Sequence, residues 1–314
     1  MQLVSIPENP APEDVVTGML KTPDGFDLRF ARFAPPAGRK GTVCLLQGRA
    51  DFIEKYFETI NDLRSRGFAV ATFDWRGQGL SRRSVRDSSK GHVRRFAEYD
   101  TDLEAFMREI VLPDCPPPFF ALGHAMGATV LIRAASQGRR WFDRTVLAAP
   151  MVGLERRRLM RLRNPLVQLM GYAGMRTAAI PNVESRPVAL QPFDGNPLTS
   201  DPDRHARTAA VVRAEPRLGV GAPTVGWARA ALRAIGEFSE PGYGARIRHP
   251  MMLVAAGHDQ IVSTAAIEAF ASNLRTGSHL MVPGARHELL MERNRFRAQF
   301  WAAFDAFVPG TAAS

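Results

Sequence analysis

The chain has 314 residues, enough for one large α/β domain carrying an insertion. At 45% hydrophobic and 23% charged it can bury a core, which excludes wholesale disorder. The net charge is +10, but the cations are scattered arginines with no dense tract interleaved with aromatics, so nucleic acid is not expected as a partner.

The N-terminal residues, Met1 to Glu8, have no positive flank and no long apolar run, so no signal peptide is expected. Thr22-Pro23-Asp24-Gly25 is a turn signal, and the alternation from Phe26 to Phe33 reads as the second arm of a hairpin. From residue 41, short apolar runs alternate with amphipathic stretches of helix length. Thr42 to Leu46 reads as a buried strand, Ile53 to Arg66 as a helix and Phe68 to Phe73 as a strand. Phe96 to Ile110 then reads as a helix, Phe119 to Leu122 as a strand, Gly127 to Ala135 as a helix and Thr145 to Ala149 as a strand. This rhythm predicts a parallel sheet covered on both faces. Residues 151–243 break it, with helical pieces, frequent Pro and Gly, and no convincing strand. The rhythm resumes with a strand at Met251 to Ala256, a helix at Ala265 to Leu274, a strand at His279 to Val282 and a closing helix at Arg295 to Val308. The expected division is therefore a core of residues 1–150 and 244–314 with a helical cap at 151–243.

Cys44 and Cys115 form no disulfide framework, and no apolar run is long enough to span a bilayer. The expected location is the cytoplasm, with peripheral contact at the inner membrane left open. Spacing of His, Asp and Glu gives no metal set, and no cofactor is expected.

The most informative segment is Gly123-His124-Ala125-Met126-Gly127, between a strand and a helix. Glycines two before and two after a central residue mark a nucleophile elbow, where a tight turn exposes a serine and the helix start aims backbone N–H groups at a developing oxyanion. Here the central residue is Ala125. Three readings stand open: a serine replaced to give an inactive enzyme, a natural pseudo-hydrolase, or a chance Gly-x-x-x-Gly helix start. Asp259 follows the strand ending at Ala256, and His287 follows the last short strand, in the chain order nucleophile, acid, histidine. Asp259 could instead cap the next helix, and His287 could be an ordinary loop histidine. His124 and His258 are read as structural. The oxyanion donors are expected to be the N–H groups of Met126 and Arg49, the latter in the loop after the first buried strand. The Arg49 side chain either meets an anionic substrate group or ties loops together.

These motifs resemble the α/β-hydrolase superfamily, in the branch of bacterial lysophospholipases and monoacylglycerol lipases. The resemblance rests on Gln47 to Tyr56, Asp74-Trp75-Arg76-Gly77-Gln78-Gly79-Leu80-Ser81, the elbow, Gly257 to Val262, and Ala285 to Glu288. It implies an α/β-hydrolase fold, with a mostly parallel sheet, helices on both faces and an inserted helical cap. It further implies a carboxylic ester hydrolase working through a Ser-His-Asp triad and an acyl-enzyme, nearly inactive with Ala125. The implied partner is a small-molecule or lipid ester, with Gln47, Gly48 and Ile261 as candidate substrate contacts. In this resemblance the Asp74 segment is a structural turn. Gln47-Gly48, where monoacylglycerol lipases carry His-Gly, tilts the match to the lysophospholipase side. The alternatives are an esterase on another ester or polyester, and a non-catalytic pseudo-hydrolase that binds ligands.

The cap holds 13 arginines against 8 acidic residues. A basic amphipathic cap suits anionic lipid headgroups, and it equally suits a solvated face over a packed apolar stripe.

Overall fold

The computed structural model describes residues 2–35 and 39–309. Residue 1 and residues 310–314, the ends of the expected core, lie outside the described residues. Strands β1 (Val15–Lys21) and β2 (Asp27–Phe33) form the expected antiparallel hairpin. The turn between them closes with the Gly25 N–H donating to the Thr22 carbonyl at 2.8 Å.

The remaining strands are β3 (Thr42–Leu46), β4 (Ala69–Phe73), β5 (Phe119–His124), β6 (Arg144–Ala148), β7 (Met251–Ala256) and β8 (Gly277–Val282). Sheet order is β1-β2-β4-β3-β5-β6-β7-β8, and from β4 onward every neighbouring pair is parallel. Every residue of β3, β4 and β7 is buried, because helices cover both faces. That is why these strands read as continuous apolar runs rather than alternations. At the edge, β8 is exposed along most of its length.

The covering helices are α1 (Phe57–Ser65), α2 (Ala97–Phe106), the one-turn α3 (Leu112–Asp114), α4 (Met126–Ser136), α9 (Thr264–Ser272) and α10 (Asn294–Phe307). Two expected helices differ in detail. The stretch from Ile53 begins as a 3₁₀ turn over Ile53–Tyr56 before α1. The stretch from Phe96 widens into a π-turn at Met107–Val111, beyond the end of α2.

Between β6 and β7 the chain forms α5 (Arg156–Leu162), α6 (Pro165–Tyr172), α7 (Pro202–Ala214) and α8 (Val225–Glu237). Asp201 caps α7, accepting from the N–H groups of Asp203 and Arg204, and Thr224 caps α8 through the Trp227 N–H. Leu162, Val167, Ile180, Val225 and Ala228 form a small core of their own. A second cluster joins Val211, Val212 and Leu218 to Phe52, in the loop after β3. The inserted segment is thereby seated over the carboxyl ends of the strands, where open α/β sheets gather their ligand-binding loops.

Candidate active site

Ala125 sits between β5 and α4 with φ 45° and ψ −106°, a backbone region that residues bearing a Cβ rarely occupy. Its surroundings fix it there. Its N–H donates to the Ala148 carbonyl at 3.0 Å, and its carbonyl accepts from the Thr129 and Met151 N–H groups at 3.1 and 3.2 Å. Gly127 is required at the next turn, since a Cβ there would stand 2.4 Å from the Leu46 carbonyl oxygen. At Gly123 a Cβ would meet the Ala128 backbone at 2.9 Å. The two glycines thus let the helix press against the sheet while residue 125 projects.

The acid and the histidine meet across two loops. His287 Nδ1 lies 2.8 Å from Asp259 Oδ2. The other oxygen of Asp259 accepts from the Ile261 and Val262 N–H groups at 2.7 and 3.0 Å. Both side chains are buried. Burial alone would raise the Asp259 carboxyl, but the His287 charge and hydrogen bond and the two backbone donors outweigh it and hold it below its ordinary range. Nδ1 is thus engaged by Asp259, and the imidazole lines the same cavity as Ala125.

Ala125, Met126, His287, Arg49 and Ile261 line one cavity of about 340 Å³ beneath the inserted helices. Among the described residues, no acceptor engages the Arg49 or Met126 N–H. Gln47 and Gly48 stand apart from the cavity wall. The Gln47 side-chain amide turns into the core and its nitrogen donates to Thr72 Oγ1 at 3.1 Å, while the Gln47 backbone carbonyl accepts from Trp75 Nε1 at 2.9 Å. The Gly48 N–H donates to Asp51 Oδ2 at 3.0 Å. These contacts shape the loop after β3. His258 is exposed, 3.4 Å from the Gln260 amide.

The Arg49 side chain reaches away from the sheet. Its guanidinium donates to the Gly221 carbonyl and lies 5.3 Å from the Trp227 ring centroid, so it ties the loop after β3 to the inserted segment. Burial brings its pKa down to about 10.

Sequence reasoning missed a buried ionic network behind the histidine. Lys55 Nζ donates to Asp51 Oδ1 at 2.6 Å and to Glu288 Oε1 at 2.7 Å. Asp51 Oδ2 also accepts from Tyr56 Oη at 2.9 Å, and His124 Nδ1 stands 3.5 Å away. Burial opposes charge on both Asp51 and Lys55. Even so, Lys55 and His124 hold Asp51 below its ordinary range, and Asp51 and Glu288 hold Lys55 above its own. The network braces the loop carrying Arg49 against the residue next to His287. Its sequence signal was slight: Asp51 and Lys55 are four apart, and an acid follows His287. The Asp74 turn is structural in detail as well, since its two carboxylate oxygens accept from the Ile53 and Leu80 N–H groups at 3.0 and 2.8 Å.

Among the described residues, no group of three or more His, Cys, Asp and Glu side chains could hold a metal. No helix among them is long and apolar enough to cross a membrane.

Comparison with known proteins places this geometry in a family. The family profile described as "Serine aminopeptidase, S33" matches residues 37–294. Lysophospholipase L2 of Escherichia coli (strain K12) is 32% identical over 290 residues, covering 88% of this chain and 82% of that protein. Among solved structures, a soluble variant of the Saccharomyces cerevisiae monoglyceride lipase, in complex with a substrate analog, superposes with TM-score 0.73 at 18% identity, over 95% of this chain and 97% of that one. A thermostable carboxyl esterase from Bacillus coagulans, in complex with glycerol, gives TM-score 0.73 at 19% identity, over 96% of this chain and 100% of that one. The chain therefore belongs to the serine aminopeptidase S33 family and has the α/β-hydrolase fold.

Proposed function

We propose that residue 125 is the nucleophile position of a carboxylic ester hydrolase acting on monoacyl lipid esters, with alanine standing in this chain where serine would act. The observation that carries the reading is Ala125 held at φ 45° in one cavity with His287, whose Nδ1 lies 2.8 Å from Asp259. The relatives named lysophospholipase and monoglyceride lipase support the substrate class.

With serine at 125, its hydroxyl attacks the ester carbonyl and His287 takes the proton as general base. Asp259 orients the imidazole and stabilises its charged form. The N–H groups of Met126 and Arg49 hold the tetrahedral oxyanion, each worth about 3 kcal/mol in the transition state. His287 returns the proton to the departing alcohol. Water, activated by the same imidazole, then releases the acyl group as a fatty acid.

The inserted segment acts as a lid over the cavity and as the side that meets lipid. Met160, Leu166, Leu169, Tyr172 and Met175, all in this segment, are exposed large apolar side chains. Arg156, Arg157 and Arg163 are exposed among them, which fits peripheral contact with an anionic surface.

The test is fatty-acid release from a lysophospholipid and a monoacylglycerol by the Ala125→Ser chain. Turnover on either supports the reading; no turnover on any monoacyl lipid overturns it. A serine codon at position 125 of the source gene would mark Ala125 as a replacement, and an alanine codon would mark a natural pseudo-hydrolase.

A further inference from the structure

The cavity wall carries more cations than its ion pairs use: Asp51 and Asp259 act on Arg49 and Arg158 without pairing with them. Arg49, Arg158 and Arg161 all line the cavity that holds Ala125 and His287. None of the three forms an ion pair with a carboxylate among the described residues, whereas the acidic groups on the same wall are engaged. Asp51 and Glu288 hold Lys55, and Glu184 lies 3.3 Å from Arg186.

The arginines retain donors to offer. Arg49 Nε is buried without an acceptor. Arg158 donates its Nε to the Gln260 carbonyl at 3.1 Å and lines the cavity. Arg158 and Arg161 lie three apart on α5, so they share a helix face. Burial lowers the pKa of Arg49; Arg158 and Arg161 are exposed on the cavity side of α5, and the pKa of Arg158 is lowered by partial desolvation and by the neighbouring charge of Arg161, with Asp259 acting the other way. Such a group of like charges is stabilised by an anion placed between them, and guanidinium forks match the paired oxygens of a phosphodiester.

We propose that Arg158 and Arg161, with Arg49 behind them, form the subsite for the headgroup phosphodiester of a lysophospholipid, so that the site selects charged lysophospholipids over neutral monoacylglycerols. This rests on the reading of residue 125 as the nucleophile position, since the same cavity must seat the ester.

Binding to the chain as it stands, with Ala125, tests the subsite without turnover. Isothermal titration calorimetry below the micelle threshold compares an ether-linked lysophosphatidylglycerol with the monoalkylglycerol of the same chain length. The phospholipid should bind at least about tenfold more tightly, by an advantage that shrinks with added salt. In the Arg158→Gln/Arg161→Gln chain this advantage should fall to about threefold or less. Retained binding of the neutral ether reports that this variant is folded, and Arg158→Lys, which keeps charge but loses the fork, should give an intermediate value. In the Ala125→Ser background the ratio of kcat/KM between the two ester classes should fall about tenfold with the same double substitution. Arg233→Gln, an exposed change on α8, should leave that ratio where it was.

Equal affinity for the two ethers, or an advantage that survives the double substitution, would overturn the proposal. So would inorganic phosphate binding as tightly as the lipid, which would make this a site for small anions. A restored-serine chain that hydrolyses no ester would overturn the functional reading instead, and the affinity comparison would still decide the subsite.

Discussion

At the scale of single residues the candidate site centres on an alanine in strained backbone. A Cβ-bearing residue at φ 45° costs on the order of 1–3 kcal/mol and persists only where neighbours over-determine it. Three backbone hydrogen bonds and two flanking glycines do so here. This much was legible in the sequence, because glycines two before and two after residue 125 are what a tight strand-to-helix turn demands. The loops after strand ends drew attention to Asp259 and His287, which stand 2.8 Å apart. The Lys55 bridge was not legible, because Lys55 and Glu288 are separated by 233 positions and nothing local marks their contact. Nor was the turn of the Gln47 amide into the core, which depends on which face of the loop meets Thr72. The residue scale also yields a prediction about the acid. In the Ala125→Ser chain, Asp259→Asn keeps the shape but removes the charge that orients and stabilises the imidazolium. Its kcat should fall on the order of 10³- to 10⁴-fold with KM little changed, as measured on a soluble ester. A fall of less than about tenfold would remove Asp259 from the mechanism.

At the scale of elements, the inserted segment is held to the core by charge as well as by apolar contact. Glu58 on α1 accepts from Arg204 at 2.9 Å and from Arg207, both on α7, and pairs with Arg297 on α10. Partial burial would push the Glu58 carboxyl up, but these arginines outweigh it and bring it down to about 2, from an ordinary 4.5. A lowered carboxyl stabilises the fold above its unfolded value, and that contribution is lost as pH falls through its folded value. Glu58→Gln, which leaves three arginines facing one another, should cost about 2 kcal/mol at neutral pH. The gap between this variant and the parent should close as pH falls from about 4.5 toward 2, read by denaturant unfolding at each pH. A gap independent of pH would show that charge does not hold α7 in place. The sequence displayed α7 only as a helical piece with arginines. It could not display Glu58 as their shared partner, since burial on α1 is set by packing rather than by local pattern. The core strands were easier, because burial on both faces writes itself as an unbroken apolar run.

At the scale of the whole molecule, the net charge of +10 divides between scattered surface and the inserted segment. Leu166, Leu169 and Tyr172 stand 53%, 64% and 78% exposed on one short helix, α6, with Arg229 over the Tyr172 ring. This patch is where the proposed contact with an anionic bilayer would fall. Cosedimentation with vesicles containing phosphatidylglycerol should fall about tenfold or more in Leu169→Ser/Tyr172→Ser, and should weaken with salt for the parent. Binding untouched by both changes would place the membrane side elsewhere. The fold was legible at this scale because the strand–helix rhythm stops at residue 150 and resumes at 251. The seating of the inserted helices over the cavity was not, since it depends on contacts such as Phe52 with Val211 and Val212, far apart in the chain.

The measurement that bears most directly on this account is the hydrolysis of a short nitrophenyl ester by this chain and by its Ala125→Ser form, side by side. With the His287–Asp259 pair in place and only the hydroxyl missing, restoring serine should raise kcat by about 10³-fold or more. Equal rates in the two chains would contradict the assignment of residue 125 as the nucleophile position.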